Sequence, residues 1–126
     1  MSVRIGLGSV PLDPGSPGPE LAAFVDACEE RGVDSVWLPD HVSGPSIDPL
    51  VGIAFAAGRT SRLKLGTGVL VLPGRNPMLL AAQLASLAAL APRRILPTFG
   101  VRPATARERA LFRCPTASAR PCSTRR

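Results

Sequence analysis

Short apolar runs rich in β-branched residues recur along this chain at Val3–Leu7, Ser35–Leu38, Leu63–Val71 and Ile95–Phe99, and their starts lie 32, 28 and 32 residues apart. Each run is brief and bounded by Gly or Pro, which favours strand over helix. A strand–helix unit of about 30 residues is what a closed eight-fold β/α barrel of about 250 residues uses per unit. An open doubly wound sheet shows a similar alternation, so the period alone leaves both architectures standing. In either, the strands run parallel and are covered on both faces, which suits an unbroken run such as Val69-Leu70-Val71-Leu72.

The segments between these runs have helical period. Pro19 takes a first-turn position, Leu21, Phe24, Val25 and Cys28 recur on one face, and Gly32 supplies a left-handed stop. Asp48-Pro49 reads as an N-cap followed by a first-turn proline, with Leu50, Ile53, Ala54 and Ala57 behind it and Gly58 closing. Asn76-Pro77 repeats the device ahead of Leu80, Leu84, Leu87 and Ala91, with Pro92 as terminator. The fold expected is therefore α/β, with about four parallel strands and three helices. That is half of an eight-unit barrel, with open hydrogen-bonding edges on the first and fourth strands that invite self-association.

With 126 residues the chain holds one domain at most. Its net charge of +6 is unevenly placed: six basic residues face eight acidic ones through Pro92, whereas nine arginines face Glu108 alone from Arg93 onward. The basicity belongs to the last quarter rather than to the fold. Residues 101–126 hold seven arginines and no large apolar side chain after Phe112, so a barrel-like domain over 1–112 and a disordered Arg-rich tail over 113–126 are expected. With Phe112 as that segment's one aromatic residue, base stacking has little support and no specific nucleic-acid partner is expected. The apolar stretch Met78–Ala91 is interrupted by Gln83 and Ser86 and falls short of the ~20 residues of a membrane span. Met1–Leu12 lacks the pattern of a signal peptide, and Cys28, Cys114 and Cys122 have no metal-type spacing. A cytoplasmic protein with free thiols and no metal or membrane partner is the reading.

In parallel α/β folds chemistry gathers at the carboxyl ends of the strands. There stand Gly8-Ser9, Pro39-Asp40-His41, Leu72–Asn76 and Gly100-Val101, and His41 is the chain's one histidine. A histidine so placed can move protons near neutral pH, oriented by a neighbouring carboxylate. Equally, Asp40 can make an Asx turn and leave His41 a solvated loop residue. Gly66-Thr67-Gly68-Val69 lies inside the third run, where glycine marks a bulge, a close approach by a ligand, or merely an irregular strand. No dinucleotide fingerprint, P-loop or nucleophile elbow is present.

The stretches ERGVDSVWLPDHV, DPLVGIAFAAGRTSRLKLGTGVLVLPGRNPMLLAAQLASLAAL and RRILPTFGV resemble the N-terminal half of the luciferase-like monooxygenase superfamily, and within it the branch that uses coenzyme F420, a deazaflavin hydride carrier. The resemblance covers about residues 3–112. It implies the N-terminal half of a (β/α)8 barrel and an oxidoreductase acting on a small-molecule substrate with F420, or alternatively a monooxygenase using FMN. By position it gives His41 the catalytic proton transfer. It places Asp40, Thr67, Gly68, Val69, Asn76 and Gly100 at the cofactor, with Gly68-Val69 at a bulge that carries a non-proline cis peptide. Since four further β/α units do not follow and the tail reads like GC-rich coding sequence out of frame, the chain reads as a truncated or frameshifted member. Alone it is expected to bind cofactor poorly and to be inactive; a non-catalytic fragment or a self-associating half-barrel is the rival reading.

Overall fold

A computed structural model describes residues 3–8, 13, 15–44, 46–103 and 105–111. The Arg-rich tail expected over 113–126 lies outside them, as do Cys114 and Cys122. Among the described residues the four apolar runs are strands, but two of them are broken. The elements in order are β1 (Gly6–Gly8), α1 (Pro17–Glu30), β2 (Ser35–Leu38), α2 (Pro49–Arg59), β3 (Lys64–Thr67), β4 (Leu70–Val71), α3 (Pro77–Leu90), β5 (Ile95–Leu96), β6 (Phe99–Gly100) and α4 (Ala106–Leu111).

All pairings are parallel. One sheet has the order β1-β2-β3-β5, and β4 pairs with β6 in a second. Register places Leu7 beside Val36, Trp37 beside Gly66 and Leu65 beside Ile95, and then Leu70 beside Phe99. The expected third strand is thus β3 and β4, and the expected fourth is β5 and β6, each interrupted at the same level. Residues 68–69, whose peptide is cis, and residues 97–98 lie between the paired segments, and Pro97 has no N–H to donate. Thr67 and Thr98 close the gap. Thr67 Oγ1 donates to the Thr98 carbonyl and accepts from the Thr98 amide, at 2.8 Å each, while Thr98 Oγ1 donates to the Thr67 carbonyl.

Successive apolar runs are neighbours in the sheets, and α1, α2 and α3 share one face. Leu21, Val25 and Cys28 of α1, Leu50, Ile53 and Ala56 of α2, and Leu80 and Leu87 of α3 meet Val36, Leu38, Leu65 and Leu70 in one buried cluster. A doubly wound sheet would reverse its order and cover both faces with helices. This one winds in a single direction, as a barrel wall does. Alternation along β2 sends Ser35 and Trp37 to the opposite face, where the indole lies flat over Gly66: a Cβ there would stand 2.4 Å from Trp37 Cε3.

Helix ends follow local chemistry, with three corrections. The first helix starts at Pro17 rather than Pro19, with Ser16 at its N-cap. Gly32 does adopt a left-handed φ of 70°, and the Val33 amide reaches the Cys28 carbonyl (3.0 Å) while the Gly32 amide reaches that of Glu29 (3.2 Å), a Schellman closure. Gly58 does not end α2, which runs on to Arg59. Asp48 and Asn76 cap α2 and α3 as the Asp-Pro and Asn-Pro pairs imply. The third correction is an additional helix, α4, beyond the three expected. Strand β1 is also shorter than Val3–Leu7, because pairing with β2 begins only at Gly6.

Candidate functional site

The carboxyl ends of β2, β3, β4 and β6 come together at one end of the sheet. The Gly68 amide donates to the Leu38 carbonyl at 2.8 Å, which carries the β2–β3 ladder up to the cis Gly68-Val69 link. Gly68 and Val69 are both exposed there. Gly100 sits against them: a Cβ on it would stand 2.7 Å from Val69 Cγ2, so the Val69 side chain lies on bare backbone.

Asp40 turns out to be a structural anchor. Its side chain is 4% exposed, and Oδ2 accepts from the Val71 amide at 3.0 Å and from Arg75 Nη2 at 2.7 Å. Arg75 also donates from Nε to the Val71 carbonyl at 3.1 Å and from Nη2 to Asp48 Oδ2 at 3.0 Å. One guanidinium therefore ties the end of β2, strand β4, and the carboxylate that caps α2. Burial disfavours its charge, but the bonds to Asp40 and Asp48 prevail and hold Arg75 above its ordinary value.

His41 follows Asp40 but faces elsewhere. Its side chain is 56% exposed, and Nδ1 lies 3.8 Å from Oε1 of Glu108, whose side chain is buried. The carboxylate beside this imidazole is thus Glu108 of α4 and not the sequence neighbour Asp40, which Arg75 and Val71 have claimed. Nor does Asp40 make the Asx turn that was the other reading. Ser46 Oγ donates to the His41 carbonyl at 2.7 Å and steadies the loop.

Thr67 departs from its expected place at a cofactor. It is fully buried, its hydroxyl is both donor and acceptor within the Thr67–Thr98 clasp, and alternation sends it to the helix side with Leu65. Asn76 uses Oδ1 to accept from the amides of Met78 (2.9 Å) and Leu79 (3.2 Å), so its main task is to start α3. Of the seven expected residues, Val69 and Gly100 touch at the open end next to Gly68, His41 follows the end of β2 there, and Asp40, Thr67 and Asn76 build its frame.

Two residues at the site, Arg75 and Glu108, were read in the sequence only as charges. Glu108 did carry a signal, since Thr105-x-x-Glu108 is a capping-box pattern. Thr105 Oγ1 accepts from the Glu108 amide at 3.1 Å and donates to Glu108 Oε2 at 3.0 Å. Arg75 carried none, because its partners lie 27 and 35 residues away. A cavity of about 380 Å³ lined by residues including Val3, Ile5, Gly32 and Arg62 lies at the amino ends of the strands and contains none of the expected site residues. Among the described residues there is no group of three or more potential metal ligands and no helix long and apolar enough to cross a membrane.

Comparison with known proteins places this geometry. The chain is 42% identical over 88 residues to an F420-dependent glucose-6-phosphate dehydrogenase of Kineococcus radiotolerans, an overlap of 64% of this chain and 26% of that protein. It is 34% identical over 94 residues to 4-hydroxyprotoasukamycin monooxygenase of Streptomyces nodosus subsp. asukaensis, covering 67% of this chain and 25% of the relative. The crystal structure of monooxygenase RslO1 from Streptomyces bottropensis superposes with a TM-score of 0.78 at 28% identity, over 87% of this chain and 36% of that one. The chain thus spans about a quarter of the curated relatives' length. The family profile described as luciferase-like monooxygenase matches residues 5–111, and with a one-way parallel sheet and helices on one face, the chain belongs to the luciferase-like monooxygenase family.

Proposed function

We propose that this chain forms one wall of a site where a deazaflavin of the coenzyme F420 class reacts with a small-molecule substrate, and that His41 moves the accompanying proton. The observation that carries the reading is the placement of His41, exposed, at the same strand ends as the bare backbone of Gly68-Val69 and Gly100. A flat ring needs such a wall, and the residues present fit it: Gly68 is exposed, and at Gly8 a Cβ would meet nothing within 4 Å. When bound, the deazaflavin would supply hydride chemistry. The chain's own residues do the rest. Arg75 and Asp40 fix the loop that presents His41, the Thr67–Thr98 clasp holds the cis link in place, and Asn76 and Asp48 start the flanking helices. The 42% relative named for F420 favours the deazaflavin; FMN is the second reading, favoured by the fold shared with an FMN complex, the oxygenating constituent of 3,6-diketocamphane monooxygenase from Pseudomonas putida.

The test is a chimera in which residues 1–111 replace the corresponding part of the Kineococcus radiotolerans relative. It should bind F420 in preference to FMN and transfer hydride. His41→Ala in the chimera should lower turnover by about 10²-fold while cofactor affinity changes little, as loss of a proton-transfer group does. Unchanged turnover, with chemistry shown to be rate-limiting, would overturn the role of His41. Preferential binding of FMN would overturn the choice of cofactor.

A further inference from the structure

We infer that Glu108 is the positioning residue for His41: it fixes which imidazole nitrogen carries the proton and so leaves Nε2 as the acceptor at the open end. The inference rests on the reading of His41 as the proton-transfer group but stands on separate geometry. Glu108 is 4% exposed and half of its carboxylate is locked. Oε2 accepts from Thr105 Oγ1 at 3.0 Å and lies 3.5 Å from the Thr105 amide, in reciprocal exchange with the Glu108 amide. The other oxygen, Oε1, is thereby aimed at His41 Nδ1, 3.8 Å away. Closing that gap to a hydrogen bond takes about 1 Å, within a small rotation of an exposed ring.

The other charges near His41 are engaged elsewhere. Asp40, on its own loop, takes Arg75 and the Val71 amide. Asp48, at the start of α2, takes Arg75 and the first amides of its helix. On α4, Arg109 donates to the Pro103 carbonyl. Glu108 therefore stands as the one carboxylate presented to the ring among the described residues. A surface ion pair loses most of its worth to side-chain entropy, but this acceptor is already ordered by its capping box. Of the two neutral tautomers, a carboxylate at Nδ1 favours the one with its proton on that nitrogen, which leaves Nε2 free to accept.

His41 is the only histidine of the chain, so long-range ¹H–¹⁵N correlation spectra of the untagged 126-residue protein at about pH 8 report its tautomer directly. The wild type should show the Nδ1–H form in excess. In Glu108→Gln, which keeps a capping-box side chain, the ratio should move about two- to fivefold toward Nε2–H, the factor expected for a half-exposed pair. An excess of Nε2–H in the wild type overturns the inference whether or not any variant folds, and so does an unchanged ratio in a folded Glu108→Gln. The tautomer is independent of turnover, so either result leaves the role of His41 to the chimera. In that chimera Glu108→Gln should lower kcat and leave the Kd for F420 unchanged.

Discussion

Trp37 and Arg75 show how single residues hold the open end together. The indole spans Gly66 and reaches toward Gly6, where an added Cβ would stand 3.0 Å from its Nε1, and Nε1 donates to Ser35 Oγ at 3.1 Å. Only glycine leaves room for a flat ring on the backbone. Gly66→Ala should displace the indole and cost about 1–3 kcal/mol, as overpacking does. Trp37 is the one tryptophan, so its emission should shift to the red and the denaturation midpoint should fall; an unchanged spectrum would show that the ring has no need of the bare backbone. Arg75 matters through its partner. Arg75→Met strands a carboxylate that is 4% exposed, at a cost of about 2–4 kcal/mol. Adding Asp40→Asn should recover part of that loss, and a double-mutant cycle with no coupling would break the assignment.

At the scale of elements, much of the architecture is written in helix ends, and one of these is built by a side chain from another helix. Glu29 of α1 caps the turn before β3. Its carboxylate accepts from the amides of Ser61 (2.9 Å), Arg62 (2.9 Å) and Leu63 (2.8 Å) and from Ser61 Oγ (2.9 Å). Burial raises its affinity for a proton, but these four donors outweigh burial and hold the carboxyl down to about 2, against an ordinary 4.5. A carboxyl lowered in the folded state stabilises fully above its unfolded value, and that contribution disappears as pH falls. The window is therefore from about 4.5 down to about 2. Glu29→Gln should lower stability at neutral pH by about 1–2 kcal/mol and flatten the acid limb of the stability curve over that window. Parallel acid limbs in the two proteins would refute the cap. Cys28, on the same helix, is buried in the core; burial pushes its thiol up, against the opposing charge of Arg31.

For the whole molecule, the governing fact is a parallel sheet whose outer strands, among the described residues, pair on one side only. Val3 and Ile5 before β1, and Phe99 and Val101 at the other edge, are exposed, as are Met78, Leu79 and Leu90 on α3. Unpaired parallel edges beside exposed apolar side chains template association. Purified protein should therefore self-associate or melt with low cooperativity, and light scattering that finds a monodisperse 13.1 kDa monomer with a sharp melt would reject this. The same openness limits binding. Anchors for a cofactor phosphate contribute about 1.5–3 kcal/mol per charge-assisted hydrogen bond. If two or three such anchors lie in the part of the relatives that these 126 residues do not span, affinity for F420 should be weaker by about 10²–10⁶ than in the chimera. Micromolar binding by the chain alone would contradict it.

What the sequence determined by itself is what local physics determines. Apolar runs about 30 residues apart, Asp-Pro and Asn-Pro starts and a glycine stop specify alternating strands and helices, because caps and periodicity act within a turn or two of chain. The same locality located the open end and its histidine. Tertiary structure decided the rest. It chose a one-way sheet over a doubly wound one, because both share the same alternation and differ in strand order and in which faces receive the helices. It split the third and fourth strands, where Thr67 and Thr98 bond 31 residues apart. It gave Asp40 to Arg75, 2.7 Å away, and set Glu108 rather than Asp40 3.8 Å from His41, since a carboxylate goes to the donor that the fold brings within reach and not to its neighbour in sequence.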